Sequence, residues 1–240
     1  AALLDQDGTL LPMDTAQFMM AYANHLGKCL SAWGMGAQPQ ELVETVWRYI
    51  GAIAQNGEDG RSNEEIYWSC FYHFTGIDRQ EAEPYFHRYY LSNFSEMQVH
   101  CGFQPLVYDL LRDLRQRDYA LVIATNPVFP KIAIETRMTW AGVQDEPIAL
   151  VTDYESCHGA KPQSRYYLEI MGKLGVSPEN CLMIGNDARD DVLPTDALGL
   201  RCYMLTDCAM NRDLLPDHVA NGSFNIFLLL FSSFISIFFQ

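Results

Sequence analysis

The chain has 240 residues, a formal net charge of −14, 49% apolar residues and 19% charged residues. That is enough chain for one large domain or two small ones with a sizeable core, and the composition is that of an ordinary globular protein rather than a disordered one. The acidic balance, with no basic stripe to offset it, argues against nucleic-acid binding but leaves room for a small phosphorylated ligand held by a local cation and a metal ion.

The seven cysteines are odd in number and the six histidines are scattered. No cysteine pair has Cys-x-x-Cys spacing, which disfavours a zinc site or a disulfide framework and favours a reducing, cytoplasmic setting. The chain opens inside an apolar run, Ala1–Leu4, without an initiator Met or a signal peptide, so a few residues are expected to precede it.

That first run reads as a buried strand ending at Asp5, with Gly8 permitting a sharp turn beyond it. Residues 14–100 then read as helices: Gln17–Leu30, Pro39–Ala54, Asn63–Phe74 and Glu83–Phe94. Breaks are expected at Gly57–Gly60 and at Gly76. Tyr67, Trp68, Phe71, Tyr72, Phe74, Tyr85, Phe86, Tyr89 and Tyr90 crowd this region, which predicts a helical insert with a small core of its own. From about Phe103 helices and strands alternate. Helices are expected over Pro105–Arg117, Phe129–Trp140, Pro162–Leu174 and Val192–Leu198. Strands are expected over Tyr119–Ala124, Ile148–Val151 and Cys181–Ile184, with Arg201–Leu205 as the last. Gly142, Gly175 and Gly199 suit helix ends, and Pro162 suits a helix's first turn. Alternation of this kind implies an α/β fold, a Rossmann-like parallel sheet covered on both faces.

The end of the chain is unusual: Phe224 to Gln240 carries no charge. A membrane span needs about 20 predominantly apolar residues. This stretch is shorter, is interrupted by serines and lacks flanking basic residues. Three readings compete. A non-native or frame-shifted end is favoured over a helix packed on the core, and a truncated membrane anchor comes last. Deletion after Ser223 is therefore expected to leave a folded protein, and a membrane is a partner only if the tail is genuine.

Three apolar strands end in polar residues, at Asp5, Thr125 and Gly185-Asn186-Asp187. In a parallel sheet such ends lie along one edge, where ligands bind. Asp5 at a strand tip could attack phosphorus, and Asp7, two residues on, could move the proton. A calcium EF-hand would need glycine at the sixth position and Glu at the twelfth. Counted from Asp5 those are Leu10 and Ala16, so that reading fails, while a plain acidic turn stays open. Thr125 and Asn126 offer a hydroxyl and main-chain N–H groups for phosphate oxygens. Lys161, at an expected helix N-terminus, adds a point charge. Asp187 is the best placed ligand for magnesium, which needs only one or two carboxylates, with Asp190 or Asp191 supporting it from behind.

Four motifs, LLDQDGTL (residues 3–10), Thr125 after VIA, Lys161 in GAKP and MIGNDARDD (residues 183–191), resemble those of the haloacid dehalogenase superfamily. The resemblance runs to about Phe224. It implies Asp5 as nucleophile, Asp7 as general acid/base, and Thr125 and Lys161 on the phosphoryl group. It also implies Mg2+ held by the Asp5 carboxylate, the Asp7 main-chain carbonyl and Asp187. One departure is Asn186, where the family usually has Asp directly after Gly. The Asp187-to-Asp191 spacing shifts the ligand assignment by one residue.

The long stretch from Thr9 to Thr125 and the short one from Thr125 to Lys161 place a helical cap at residues 14–100. The α/β core is then residues 1–13 and 101–223, with residues 224–240 as the tail. The arrangement resembles phosphoglycolate phosphatase-like hydrolases. The implied activity is magnesium-dependent hydrolysis of a small phosphorylated metabolite through an aspartyl phosphate, by a monomer or homodimer. Asp7 argues against the dehalogenase branch. A phosphomutase shares every motif, and a phospho-Asp receiver module is the non-enzymatic alternative.

Overall fold

The computed structural model describes residues 1–55 and 60–233. Six strands, β1 (Ala2–Leu4), β2 (Leu121–Ile123), β3 (Ile148–Val151), β4 (Leu182–Gly185), β5 (Arg201–Leu205) and β6 (Ala220–Gly222), form one sheet in the order β3-β2-β1-β4-β5-β6. Every neighbouring pair is parallel. Leu3 of β1 lies in register with Val122 on one side and Met183 on the other. Successive connections move outward from β1 in opposite directions, so the strand order reverses at β1. The crevice beyond such a reversal is where open α/β sheets bind ligands.

The first four helices, α1 (Thr15–Ala32), α2 (Pro39–Ala54), α3 (Asn63–Thr75) and α4 (Arg79–Ser92), are followed by a 3-10 segment, Phe94–His100. The insert leaves and rejoins the sheet at one place, where Met13 pairs with Cys101 and Gly102 N donates to Pro12 O at 2.7 Å. The remaining helices are α5 (Val107–Gln116), α6 (Lys131–Ala141), α7 (Ser164–Leu174), α8 (Leu193–Ala197) and α9 (Phe224–Ser233). The central strands β1, β2 and β4 are short, apolar and buried throughout, as the middle of a parallel sheet requires, while the edge strands β3 and β6 are partly exposed. Leu3, Val122 and Met183 pack with Tyr166, Tyr167, Ile170 and Met171 of α7. Leu4, Ile123 and Ile184 belong to the apolar cluster that also holds Leu110, Leu111 and Leu114 of α5.

Local signals explain why these helices start and stop where they do. Ser62 and Glu65 form a reciprocal cap at the start of α3, with Ser62 N donating to Glu65 at 2.8 Å. Gly76, Gly142 and Gly175 end α3, α6 and α7 in the left-handed conformation. Of the expected break at 57–60, residues 57–59 lie outside the described residues.

Several expectations are corrected. The insert does not have a separate core. Its buried aromatics join the cluster on the sheet through pairs such as Tyr22–Phe129, with centroids 4.9 Å apart, and Phe94–Trp140, at 5.3 Å. Arg201–Leu205 is not the last strand. β6 follows it, held by pairing with β5 rather than by an apolar pattern of its own, since it reads only Ala-Asn-Gly. Pro162 does not open a helix. The Lys161–Pro162 peptide is cis, and α7 begins at Ser164. The expected helix over Val192–Leu198 is present as α8, and a π-turn at Ala188–Val192, which the sequence did not suggest, leads into it.

The first ten residues of the tail, Phe224–Ser233, are a helix on the core. Phe224, Phe227 and Phe231 are buried at helical spacing. Phe227 packs on Tyr203 with centroids 4.5 Å apart, Asp207 accepts from Phe224 N at 2.8 Å, and Arg117 donates to Phe231 O at 2.7 Å. Residues 234–240 lie outside the described residues. No helix among the described residues is long and apolar enough to cross a membrane.

Candidate active site

The strand ends bring the predicted residues to one cleft. It is lined by Asp5, Asp7, Thr125, Asn126, Lys161, Asn186, Asp187, Asp190 and Asp191, together with Thr15 and Met210. Asp5 directly follows β1, and its amide continues the sheet by donating to Ile184 O at 3.0 Å. The turn after it is closed by Leu11 N on Gln6 O at 2.9 Å and Gly8 N on Leu11 O at 2.8 Å. Gly8 is required twice over: its φ is +85°, and a Cβ there would run into the Asn186 amide.

Lys161 lies almost wholly buried between two carboxylates, 2.8 Å from Asp5 Oδ1 and 2.6 Å from Asp191 Oδ1. Burial by itself would lower the lysine pKa. Asp191 and Asp5 outweigh it and hold the ammonium well above its usual value, so it stays charged. Burial likewise pushes Asp191 up, against the pull of Lys161. The other oxygen of Asp191 accepts from Asn186 N and Asp187 N, each at 3.1 Å. Gly185 leaves room for this carboxylate, because a Cβ there would overlap it. Asp191 therefore positions Lys161 and ties the β4 tip together.

The other oxygen of Asp5 accepts from Thr9 Oγ1 at 2.9 Å, and the same hydroxyl reaches Asn186 Oδ1 at 3.2 Å. Asn186 Nδ2 donates to Cys208 O at 2.7 Å. Asn186 is thus a bridge between β1, β4 and the loop after β5. Asp187 Oδ1 accepts from Arg189 N at 2.8 Å, Asp190 N at 3.3 Å and Asn211 Nδ2 at 2.8 Å. This fixes the carboxylate at the cleft. Asp190 is partly exposed, and its main-chain carbonyl takes the Tyr167 hydroxyl at 2.5 Å. Burial raises the Asp190 carboxyl pKa, and Asp187 adds to the effect.

Asp7 turns toward α6, where its Oδ2 forms an ion pair with Arg137. Its Oδ1 is buried with no hydrogen-bond partner. Burial raises the Asp7 pKa, and Arg137 pulls the other way. The Thr125 carbonyl is held by Tyr166 Oη at 2.7 Å and Thr152 Oγ1 at 2.8 Å, which steadies the loop after β2. Lys161 is not held by a helix N-terminus, contrary to the sequence expectation. α7 starts at Ser164, and the two ion pairs place the ammonium.

The residues that sequence reasoning missed are Thr9, Arg137, Thr152, Tyr166 and Asn211. Arg137 had a readable signal: it shares the buried face of α6 with Ala133, Ile134, Met138 and Ala141, and a charge on an apolar stripe needs a partner. The others, Tyr166 on α7 and Thr9, Thr152 and Asn211 in turns and loops, support the site through contacts no spacing reveals.

The donor set suits a hard, oxygen-seeking cation. The cleft and its edge hold five carboxyl groups, Asp5, Asp7, Asp187, Asp190 and Asp191, against the two cations Lys161 and Arg137. Among the described residues no three His, Cys, Asp or Glu side chains are already gathered as a metal cage. That is compatible with Mg2+, which keeps several waters and takes one or two carboxylates.

The haloacid dehalogenase-like hydrolase family model matches residues 1–194, and the chain belongs to that family. It is 29% identical over 209 residues to phosphoglycolate phosphatase of Photorhabdus laumondii subsp. laumondii, covering 86% of this chain and 80% of that protein. It is 25% identical over 164 residues to pyrophosphatase PpaX of Oceanobacillus iheyensis, covering 67% of this chain and 75% of that protein. The crystal structure of a hydrolase from Pseudomonas syringae superposes with a TM-score of 0.58 at 18% identity, over 98% of this chain and 99% of that one, which shows a shared fold.

Proposed function

We propose that the protein is a magnesium-dependent phosphatase that hydrolyses a small phosphorylated metabolite through an aspartyl phosphate. The observation that carries this reading is the placement of Lys161 between Asp5 and Asp191 at the tip of the central strand. Together they present a nucleophile and a fixed cation to the same incoming phosphoryl group. The curated relatives described above are named as phosphatases of two different substrates, so the reading stops at the phosphate ester or anhydride class.

Asp5 attacks phosphorus with one carboxylate oxygen, and the bond to the leaving oxygen breaks. Asp7 gives its proton to that oxygen. Asp7 then takes a proton from water as the water attacks phosphorus, releasing phosphate and restoring the Asp5 carboxylate. Thr125 and Asn126, at the tip of β2, and Lys161 bind the phosphoryl oxygens. Asp5, Asp187 and the Asp7 main-chain carbonyl would hold Mg2+, which offsets charge on the transferring group. Asn186, Asp190 and Asp191 fix these groups from behind. Residues 14–100 act as a cap that excludes water from the cleft.

The test is a panel of phosphorylated metabolites assayed with Mg2+ and with EDTA, on the wild type and on Asp5→Asn. The expected result is release of inorganic phosphate that requires both Mg2+ and Asp5. Turnover persisting in Asp5→Asn or in EDTA contradicts the reading, and a positional isomer as product would mark a phosphomutase. The receiver alternative expects at most one phosphoryl group per chain.

A further inference from the structure

We infer that Asn63, the first residue of α3, is a positioning residue that assembles the phosphoryl seat when the helical insert packs on the sheet. Its side chain is fully buried. Its Nδ2 donates to Pro127 O at 3.1 Å and to Gly159 O at 3.0 Å. Pro127 lies two residues past Thr125, and Gly159 lies two residues before Lys161. One amide therefore joins the two loops that present the phosphate-binding groups.

The orientation of the amide is fixed by its neighbours. Both contacts are main-chain carbonyls, which only an N–H can satisfy. Asn63 Oδ1 is left buried without a hydrogen-bond partner. That is a cost an apolar residue of the same size would avoid, so packing alone does not account for the side chain.

The contact crosses from insert to sheet. Asn63 N donates to Cys157 O and Glu64 N to Tyr154 O, each at 2.8 Å. Tyr49 Oη donates to Val128 O, and Gln163 Nε2 donates to Ala54 O, again at 2.8 Å each. All four fasten the insert to the loops beside the cleft. Lifting α3 away would break both bonds of the Asn63 amide at once and loosen the Thr125 and Lys161 loops, leaving contacts such as Tyr166 Oη on Thr125 O between them. Docking of the insert and this bridging of the seat are thus one event. The consequence for catalysis is geometric, since small misplacement of binding groups lowers rate steeply.

The activity arm of the test rests on the phosphatase reading; the exchange arm does not. In the full chain, Asn63→Asp keeps the shape of the side chain but points an acceptor at two carbonyls, and Asn63→Ala removes the contact altogether. For both variants, kcat on the best panel substrate is expected to fall about tenfold or more, and inhibition by orthovanadate to weaken to a similar extent. Amide hydrogen exchange is expected to quicken in residues 125–128 and 157–161 while unfolding stays cooperative. Should Asn63→Ala fail to fold, Asn63→Asp carries the comparison. Unchanged kcat and vanadate inhibition alongside a lower melting temperature would reduce Asn63 to a structural residue and overturn the inference. Unchanged exchange in both loops would overturn it even if the wild type turned over no phosphate ester.

Discussion

Arg137 is fully buried in α6, and its guanidinium forms an ion pair with Asp7 while lying 4.2 Å from the centre of the Phe129 ring. The residue assigned to proton transfer is thus balanced between two opposing forces. Burial favours its neutral form, and the guanidinium favours its charged form. Removing the guanidinium should tip that balance. In Arg137→Met the Asp7 pKa rises further, so its acid form survives to higher pH. The alkaline limb of the kcat/KM profile should move to higher pH, at reduced overall rate. A pH–rate series on both proteins checks this, and an alkaline limb moving to lower pH would contradict it.

Lys161 gives a second prediction. It is the cation between Asp5 and Asp191, and all three groups are buried. Lys161→Met leaves two carboxylates facing each other without a counter-charge. Breaking a buried pair in this way costs on the order of 3–5 kcal/mol. Turnover should drop by at least about a hundredfold, the range seen when a preorganised charge-stabilising group is lost. Urea unfolding and steady-state kinetics measure the two losses separately.

The tail yields a third. Phe227 is buried against Tyr203, and the helix that carries it is capped by Asp207. Phe227→Ala should lower stability by about 3–5 kcal/mol, seen as a lower urea midpoint with an unchanged slope. Deleting α9 should do more harm, contrary to the expectation drawn from composition alone. A midpoint within error of wild type would show that the helix contributes nothing to the core.

The contrast between Asp5 and Phe227 shows where sequence reading works in this protein. Asp5, Asp7, Thr125 and Asp187 stand next to apolar strands whose ends a parallel sheet must bring together, so their convergence was legible, whereas Lys161 was picked out by its GAKP motif and its seat between Asp5 and Asp191 was not legible. Residues 39–54 were predicted as a helix with the boundaries observed, because Pro39 opens it and the apolar periodicity runs through Ala54. β6 was missed because Ala-Asn-Gly has no strand pattern and forms only through Tyr203 pairing with Ala220. The packing of the tail was hard to read because helical spacing of Phe224, Phe227 and Phe231 is hidden when almost every neighbour is also apolar. Asn63 escaped notice because its partners, Pro127 O and Gly159 O, are main-chain atoms far along the chain.

The most direct test of the central claim is to trap the covalent intermediate. The wild type, mixed with its best panel substrate and Mg2+, would be quenched in acid, reduced with borohydride and mapped by peptide mass spectrometry. An aspartyl phosphate at the tip of β1 predicts homoserine at position 5, and none in Asp5→Asn. Homoserine at position 7, 187, 190 or 191, with position 5 intact, would contradict the account.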